Sequence, residues 1–201
     1  SRLIPVHDLE TVLAPIHEAH GLTNEFYTDQ RYFELERDEV LGRNWACIGF
    51  ASDLPTNSYV KPVDFMGLPL LMMRNREGLV QVFHNVCSHR GVKLVQQAGE
   101  VQGVIRCPYH SWTYKLDGSP LAVPMRAGYE GTGLAACESG AGMEVLRHVA
   151  TYRDFVFARL NDAGPSFEDY CGPMLRVIDL LVDRSPTGKL QVAGGCVRTL
   201  V

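Results

Sequence analysis

No run of apolar residues in this 201-residue sequence approaches the ~18 that a membrane-spanning helix needs, so no such helix is expected. An excess of positive charge is missing too. Nineteen Lys and Arg stand against 23 Asp and Glu, a net charge of −4. That balance argues against nucleic-acid binding, which phosphate neutralisation dominates. Six cysteines are too few in a chain of this length to form a disulfide framework. The opening SRLIPVHDLE lacks the charged-then-apolar pattern of a signal peptide. The expected compartment is therefore reducing and cytoplasmic, with cysteines free, catalytic or metal-bound. The first residue is Ser, which points to a processed or trimmed amino terminus. There is no internal repeat, low-complexity tract or long charge run. Hydrophobic residues make up 46% and charged residues 21%, which excludes wholesale disorder and fits one globular domain with appendages.

Three textures follow one another along the chain. Residues 8–18 and 31–42 carry apolar residues at helical spacing. In the second segment Phe33, Val40 and Leu41 share a predicted face, and Asp29 is the predicted N-cap. From Trp45 short apolar segments alternate with turn residues. Arg76-Glu77-Gly78 and Asp117-Gly118 read as hairpin turns. Many short strands at close spacing predict a small antiparallel β-domain over roughly 44–160, closed by a strand pair or long strand in 149–160. Ser166-Phe167-Glu168-Asp169 then resembles a capping box opening a short helix. The final LQVAGGCVRTLV reads as the start of another strand. An apolar edge left without a partner is usually avoided, so the 201 residues are expected to be the front part of something longer.

Two clusters carry the chemistry, Cys87-Ser88-His89-Arg90-Gly91 and Cys107-Pro108-Tyr109-His110-Ser111-Trp112. Each supplies one thiolate and one imidazole. C-x-H places both donors on one side of an extended loop. In C-P-x-H, Pro108 fixes the backbone so that the loop turns. The 17 residues from Arg90 to Arg106 are enough for an outgoing and a returning strand, which would let the two tips meet around a metal. Two Cys and two His are also a zinc set, but structural zinc usually takes like ligands in pairs. A mixed pair from each loop fits a Rieske centre, in which two histidines replace two cysteines on one iron of a [2Fe–2S] cluster.

HNVCSHRGVKLV and RCPYHSWTYKLDGSP resemble the Rieske region of ring-hydroxylating oxygenase α subunits. FYTDQRYFELERDEVLGRNWACIGFASDLP is similar to the helical lead-in of that family, and DFVFARLNDAGPSFEDY to its last Rieske strand and following helix. Where the family usually reads H-G-W, this sequence has His110-Ser111-Trp112, a form similar to that of relatives acting on quaternary amines.

The resemblance implies a mainly β, antiparallel Rieske domain at 44–162. A helical segment at 1–43 would precede it, and the start of an α+β catalytic domain would occupy 163–201. It implies Cys87 and Cys107 on one iron and His89 and His110 on the other. It further implies a reductase or ferredoxin as electron donor, a homotrimer of the full-length chain, and O2-dependent hydroxylation or demethylation at a mononuclear non-haem Fe(II). The family's acidic-x2-H-x4-H pattern for that iron does not occur in the 201 residues, so the catalytic site is expected outside them, and with it the substrate pocket. Aromatic acids, heterocycles and quaternary amines all stay open as substrates. The rival readings are a free-standing Rieske-type electron carrier and a zinc-stabilised binding module.

Around the clusters, Arg90, Arg106, Tyr109 and Trp112 are candidates for contacts with the centre or for ordinary surface and packing roles. Gly91 and Gly118 serve backbone geometry. His17 and His20, with Glu18, form an incomplete metal set expected to lie on a surface helix. His84 is expected to pack or hydrogen-bond in a strand. His7 and His148 have no partner in sequence. Cys47, Cys137, Cys171 and Cys196 lack mutual metal spacing and read as small buried or half-buried side chains.

Overall fold

The computed structural model describes residues 6–132 and 142–193. It opens on three short helices, α1 (Val6–Val12), α2 (Glu25–Thr28) and α3 (Gln30–Leu35), the last continuing as a π-helical turn over Glu36–Leu41. Asp29 caps α3 as expected, its carboxylate accepting from the Arg31 N–H at 2.8 Å. The helix expected over 8–18 ends at Val12 instead. Pro15 disfavours helical backbone at the residue before it, and the chain folds back, with Glu18 and Ala19 N–H groups bonding to the Pro15 carbonyl.

Among the described residues ten strands follow: β1 (Ala46–Phe50), β2 (Tyr59–Phe65), β3 (Leu68–Arg74), β4 (Val80–His84), β5 (Gly99–Glu100), β6 (Val104–Arg106), β7 (Thr113–Lys115), β8 (Pro120–Ala122), β9 (His148–Tyr152) and β10 (Phe155–Arg159). They form three antiparallel sheets ordered β1-β10-β9, β4-β3-β2-β5 and β6-β7-β8. Two helices, α4 (Phe167–Cys171) and α5 (Met174–Val182), come last. Ser166 caps α4 through its hydroxyl, which accepts from the Asp169 N–H at 3.1 Å.

Both expected hairpins form. Between β3 and β4 the Asn75 side chain accepts from the Glu77 and Leu79 N–H groups, and Gly78 takes φ 86°. Between β7 and β8 Asp117 accepts from Ser119, and Gly118 takes φ 83°. The 149–160 segment is a strand pair. Its turn, Arg153 and Asp154, has positive φ at both residues, and the Asp154 carboxylate holds the backbone and hydroxyl of Ser52.

Strand β3 explains where the core sits. Its sequence, LPLLMMR, is apolar on both faces because it separates two cores. Leu71 and Met73 pack with Phe83, Ile105, Tyr114, Cys87 and Cys107. Leu70 and Met72 pack with Ile48, Val82 and Val156. The first of these cores is the floor of the cysteine–histidine turns. The strand expected to start in Leu190–Val201 falls mostly outside the described residues, and the described part, 190–193, lacks regular structure.

Candidate metal centre

Both cysteine–histidine clusters are hairpin tips, and the two tips are the same turn built twice. In the first, the Cys87 N–H donates to the Val92 carbonyl at 2.8 Å and the Gly91 N–H to the Cys87 carbonyl at 2.8 Å. In the second, Cys107 donates to Trp112 at 2.7 Å and Ser111 to Cys107 at 3.1 Å. Each stem begins with one antiparallel pair, Val86 with Lys93 and Arg106 with Thr113. The fifth residue of each turn is left-handed, φ 67° at Gly91 and 60° at Ser111.

This corrects the reading of the first loop as extended. The two closing hydrogen bonds curl it as tightly as the second, without a proline. Nor do the 17 intervening residues make one outgoing and one returning strand. Lys93–Val95 returns against Asn85 and Val86, β5 joins the central sheet, and β6 begins the second hairpin. Asn85, fully buried, holds both backbone groups of Val95 through its side-chain amide.

The tips bring all four donors together. The imidazoles of His89 and His110 lie 4.7 Å apart between ring centres. Cys87 and Cys107 are each 2% exposed and undisulfided. Burial pushes the Cys87 thiol up, opposed by the hydrogen bond from Tyr114. Burial also lowers the His89 imidazole, with His110 and Arg90 adding to the effect. The imidazole is thus held in its neutral, metal-binding form, whereas the thiol needs a metal to displace its proton.

The Nδ1 atoms of both histidines are buried and have no hydrogen-bond partner among the described residues. Two orphaned nitrogen lone pairs beside two buried sulfurs fit a centre that both imidazoles and both thiolates bind. Among the described residues no three His, Cys, Asp or Glu side chains are placed to hold a single metal ion. The donors come as a sulfur pair and a nitrogen pair.

Aromatic rings close the site. Trp112 stacks on His89 with ring centres 4.9 Å apart and planes 3° from parallel. Tyr109, 58% exposed, lies over His110 at 3.7 Å. Arg90 and Arg106 are exposed. The sequence reading missed Tyr114 and Tyr129. Tyr114 places its hydroxyl 3.0 Å from Cys87 Sγ and 3.0 Å from Ser88 Oγ. Its signal was available: it is the inward residue of β7. The Tyr129 hydroxyl is 3.5 Å from His89 Nε2, and its ring meets His89 and Trp112 edge-on. It arrives from a distant 3-10 turn, Arg126–Tyr129, with no local signal.

The other candidates stay apart from this centre. His17 and Glu18 are exposed and lie 3.4 Å from each other, and with His20 they follow α1 instead of extending it. His84 sits in β4, its N–H bonded to the Glu144 carbonyl. The sequence reading, which found no H-x4-H in the 201 residues, overlooked His84 and His89, which stand at that spacing with Gln81 in the acidic place of the longer pattern. His148 meets Asp162 at 3.1 Å, a partner the sequence did not reveal. Cys171 is buried, whereas Cys47 is exposed, contrary to expectation. His7 lies in α1, its side chain outside the description, and Cys137 and Cys196 fall outside the described residues.

Comparison with known proteins gives the family of the chain. The chain is 33% identical over 186 residues to the anthranilate 1,2-dioxygenase large subunit of Acinetobacter baylyi, covering 90% of this chain and 38% of that one. It is 34% identical over 161 residues to the carnitine monooxygenase oxygenase subunit of Escherichia coli (strain K12), covering 80% and 41%. It thus spans about two fifths of the length of these relatives. The structure superposes on the apo form of a quaternary ammonium Rieske monooxygenase with a TM-score of 0.73 and 27% identity, covering 82% of this chain and 47% of that one. The model of the Rieske [2Fe-2S] domain matches residues 44–152. That span starts just before Trp45, encloses both turns and ends with β9, and so this chain belongs to the Rieske [2Fe-2S] domain family.

Proposed function

We propose that this chain is the electron-input region of a Rieske non-haem iron oxygenase, with Cys87 and Cys107 holding one iron of a [2Fe–2S] cluster and His89 and His110 the other. The observation that carries this reading is the repeated turn, which leaves two orphaned Nδ1 atoms beside two buried thiols. When bound, such a centre supplies a one-electron couple at roughly −150 to +300 mV, against about −400 mV for plant-type all-thiolate ferredoxins. The chain's own residues do the rest. Cys87 and Cys107 exclude water from the sulfur side, and Tyr114 donates toward Cys87. Trp112 and Tyr129 cover His89, while His110 lies under the exposed Tyr109 on the side open to a partner.

In this reading 44–162 is the Rieske domain, 1–43 its helical lead-in, and 163–201 the entry to a catalytic domain holding mononuclear Fe(II). A reductase or ferredoxin in the cytoplasm delivers the electron. The full-length chain forms a homotrimer in which His110 would hold the cluster on the side facing a neighbouring subunit, whose mononuclear Fe(II) would supply the chemistry of O2-dependent hydroxylation or demethylation. A structurally similar quaternary ammonium Rieske monooxygenase, 28% identical with a TM-score of 0.71, is described with inter-subunit electron transfer, which supports this route. The second reading, a free-standing carrier, is disfavoured because similarity to oxygenase subunits extends over 90% and 80% of the chain, beyond the Rieske span itself.

Anaerobic reconstitution with ferrous iron and sulfide tests the assignment. The expected product binds two irons per chain and shows two histidine nitrogen couplings in pulsed EPR of the reduced state. In His89→Cys or His110→Cys that assembles, one coupling disappears and the potential falls, because added thiolate charge disfavours reduction. Residues 1–201 supplied with reductant, O2 and substrates should be reduced without forming product. One tetrahedral zinc held by all four side chains, or substrate turnover by these residues, would overturn the reading.

A further inference from the structure

Trp112 is 1% exposed, and its indole nitrogen is buried with no hydrogen-bond partner. Five buried side-chain nitrogen or oxygen atoms lack a partner among the described residues, and three of them belong to His89, His110 and Trp112. The first two are the ligand nitrogens of the proposed centre. The third is a donor only, since an indole N–H has no lone pair to offer a metal. Buried polar groups are paired in the great majority of native structures, so an orphaned donor in this place calls for an acceptor that the described residues do not supply. The other tryptophan shows what an indole does where an acceptor is at hand: Trp45 donates to the Pro165 carbonyl at 3.2 Å.

The position of Trp112 is set twice by the second turn. Its carbonyl receives the Cys107 N–H, and its ring stacks flat on His89 within the core that contains both cysteines. We infer that the Trp112 indole N–H donates a hydrogen bond to sulfur of the bound cluster and thereby raises its reduction potential. The inference rests on the ligand assignment above. The acceptor class is inorganic sulfide, since neither cysteine sulfur is a partner of the indole nitrogen. Reduction adds one negative charge to the cluster, so the bond strengthens in the reduced state and favours it.

The test labels the reconstituted protein with [15N-indole]tryptophan in a Trp45→Phe background, leaving Trp112 as the single labelled ring. Pulsed EPR of the reduced cluster should show a third, weaker nitrogen coupling beside those of the two histidines. An exchangeable proton coupling should vanish in Trp112→Phe, which keeps an aromatic ring against His89 and removes the donor. In the same variant the reduction equilibrium should shift about tenfold toward the oxidised cluster, about 59 mV for one electron. If Trp112→Phe fails to assemble, benzothienylalanine at position 112 supplies the same shape with sulfur in place of N–H. Intact histidine couplings with no indole coupling and an unchanged potential would overturn the inference, as would a buried water serving as the acceptor. Loss of the histidine couplings in the unsubstituted protein would instead overturn the ligand assignment.

Discussion

Ser111 and Gly91 occupy equivalent places in the two turns, and both are left-handed. Glycine takes that conformation freely, whereas a residue with a Cβ carries strain of about 1–2 kcal/mol. The second turn tolerates the strain because its two closing hydrogen bonds and the buried Trp112 side chain over-determine it. Tyr114 acts at the same scale. Burial holds its hydroxyl far above the ordinary phenol value, so it stays protonated and offers its hydrogen between Cys87 Sγ and Ser88 Oγ. Tyr114→Phe removes the donor without changing the packing of the ring. The expected result is a lower reduction potential by voltammetry and a stability loss of about 1 kcal/mol in denaturant unfolding. An unchanged potential would mean that the hydroxyl serves Ser88 alone.

Among the elements, the hairpins were legible and the lead-in only partly. Asp117-Gly118 and Asn75–Gly78 carry their turn chemistry in a few adjacent residues, which is why they were read correctly. The Arg153-Asp154 turn carries no Gly or Asn. Its left-handed pair is held by distant groups: Asp154 by Ser52, and Arg153 by Asp179 and Asp183 of the α5 region. In α3 the cap was legible but the predicted face was not, since Phe33, Val40 and Leu41 are all exposed and the helix passes into a π turn. The Arg31 side chain, and then its backbone N–H, bring Asp29 down from 3.8 to about 2. A depressed carboxylate pKa supports the folded cap above the ordinary value, and that support is lost as pH falls from about 4 through 2. The protection factors of the α3 amides, exchange measured relative to the unstructured chain at the same pH, should therefore fall over this interval. In Asp29→Asn that fall should be absent, and its persistence would place the titrating group elsewhere.

For the whole molecule, the β-core is closed while apolar faces stay open on the helices. On α5, Met174, Val177, Leu180 and Leu181 are exposed, and residues 190–193 add no strand to cover them. Exposed apolar patches of this kind promote association. The chain is therefore expected to self-associate in sedimentation experiments. Val177→Lys with Leu180→Lys should reduce that association and leave the cluster spectrum unchanged. Undiminished association would shift attention to the exposed Leu13 and Ile16 near the amino end. The sequence by itself determined the β-rich class, the hairpin turns and the pair of cysteine–histidine clusters, because each is written in residues a few positions apart. Tertiary structure decided that the two clusters are one turn repeated and that Tyr114 and Tyr129 join them. It also showed which buried nitrogens are left without partners. Those facts depend on groups 20 to 40 residues apart meeting in one core, and no local periodicity encodes such a meeting.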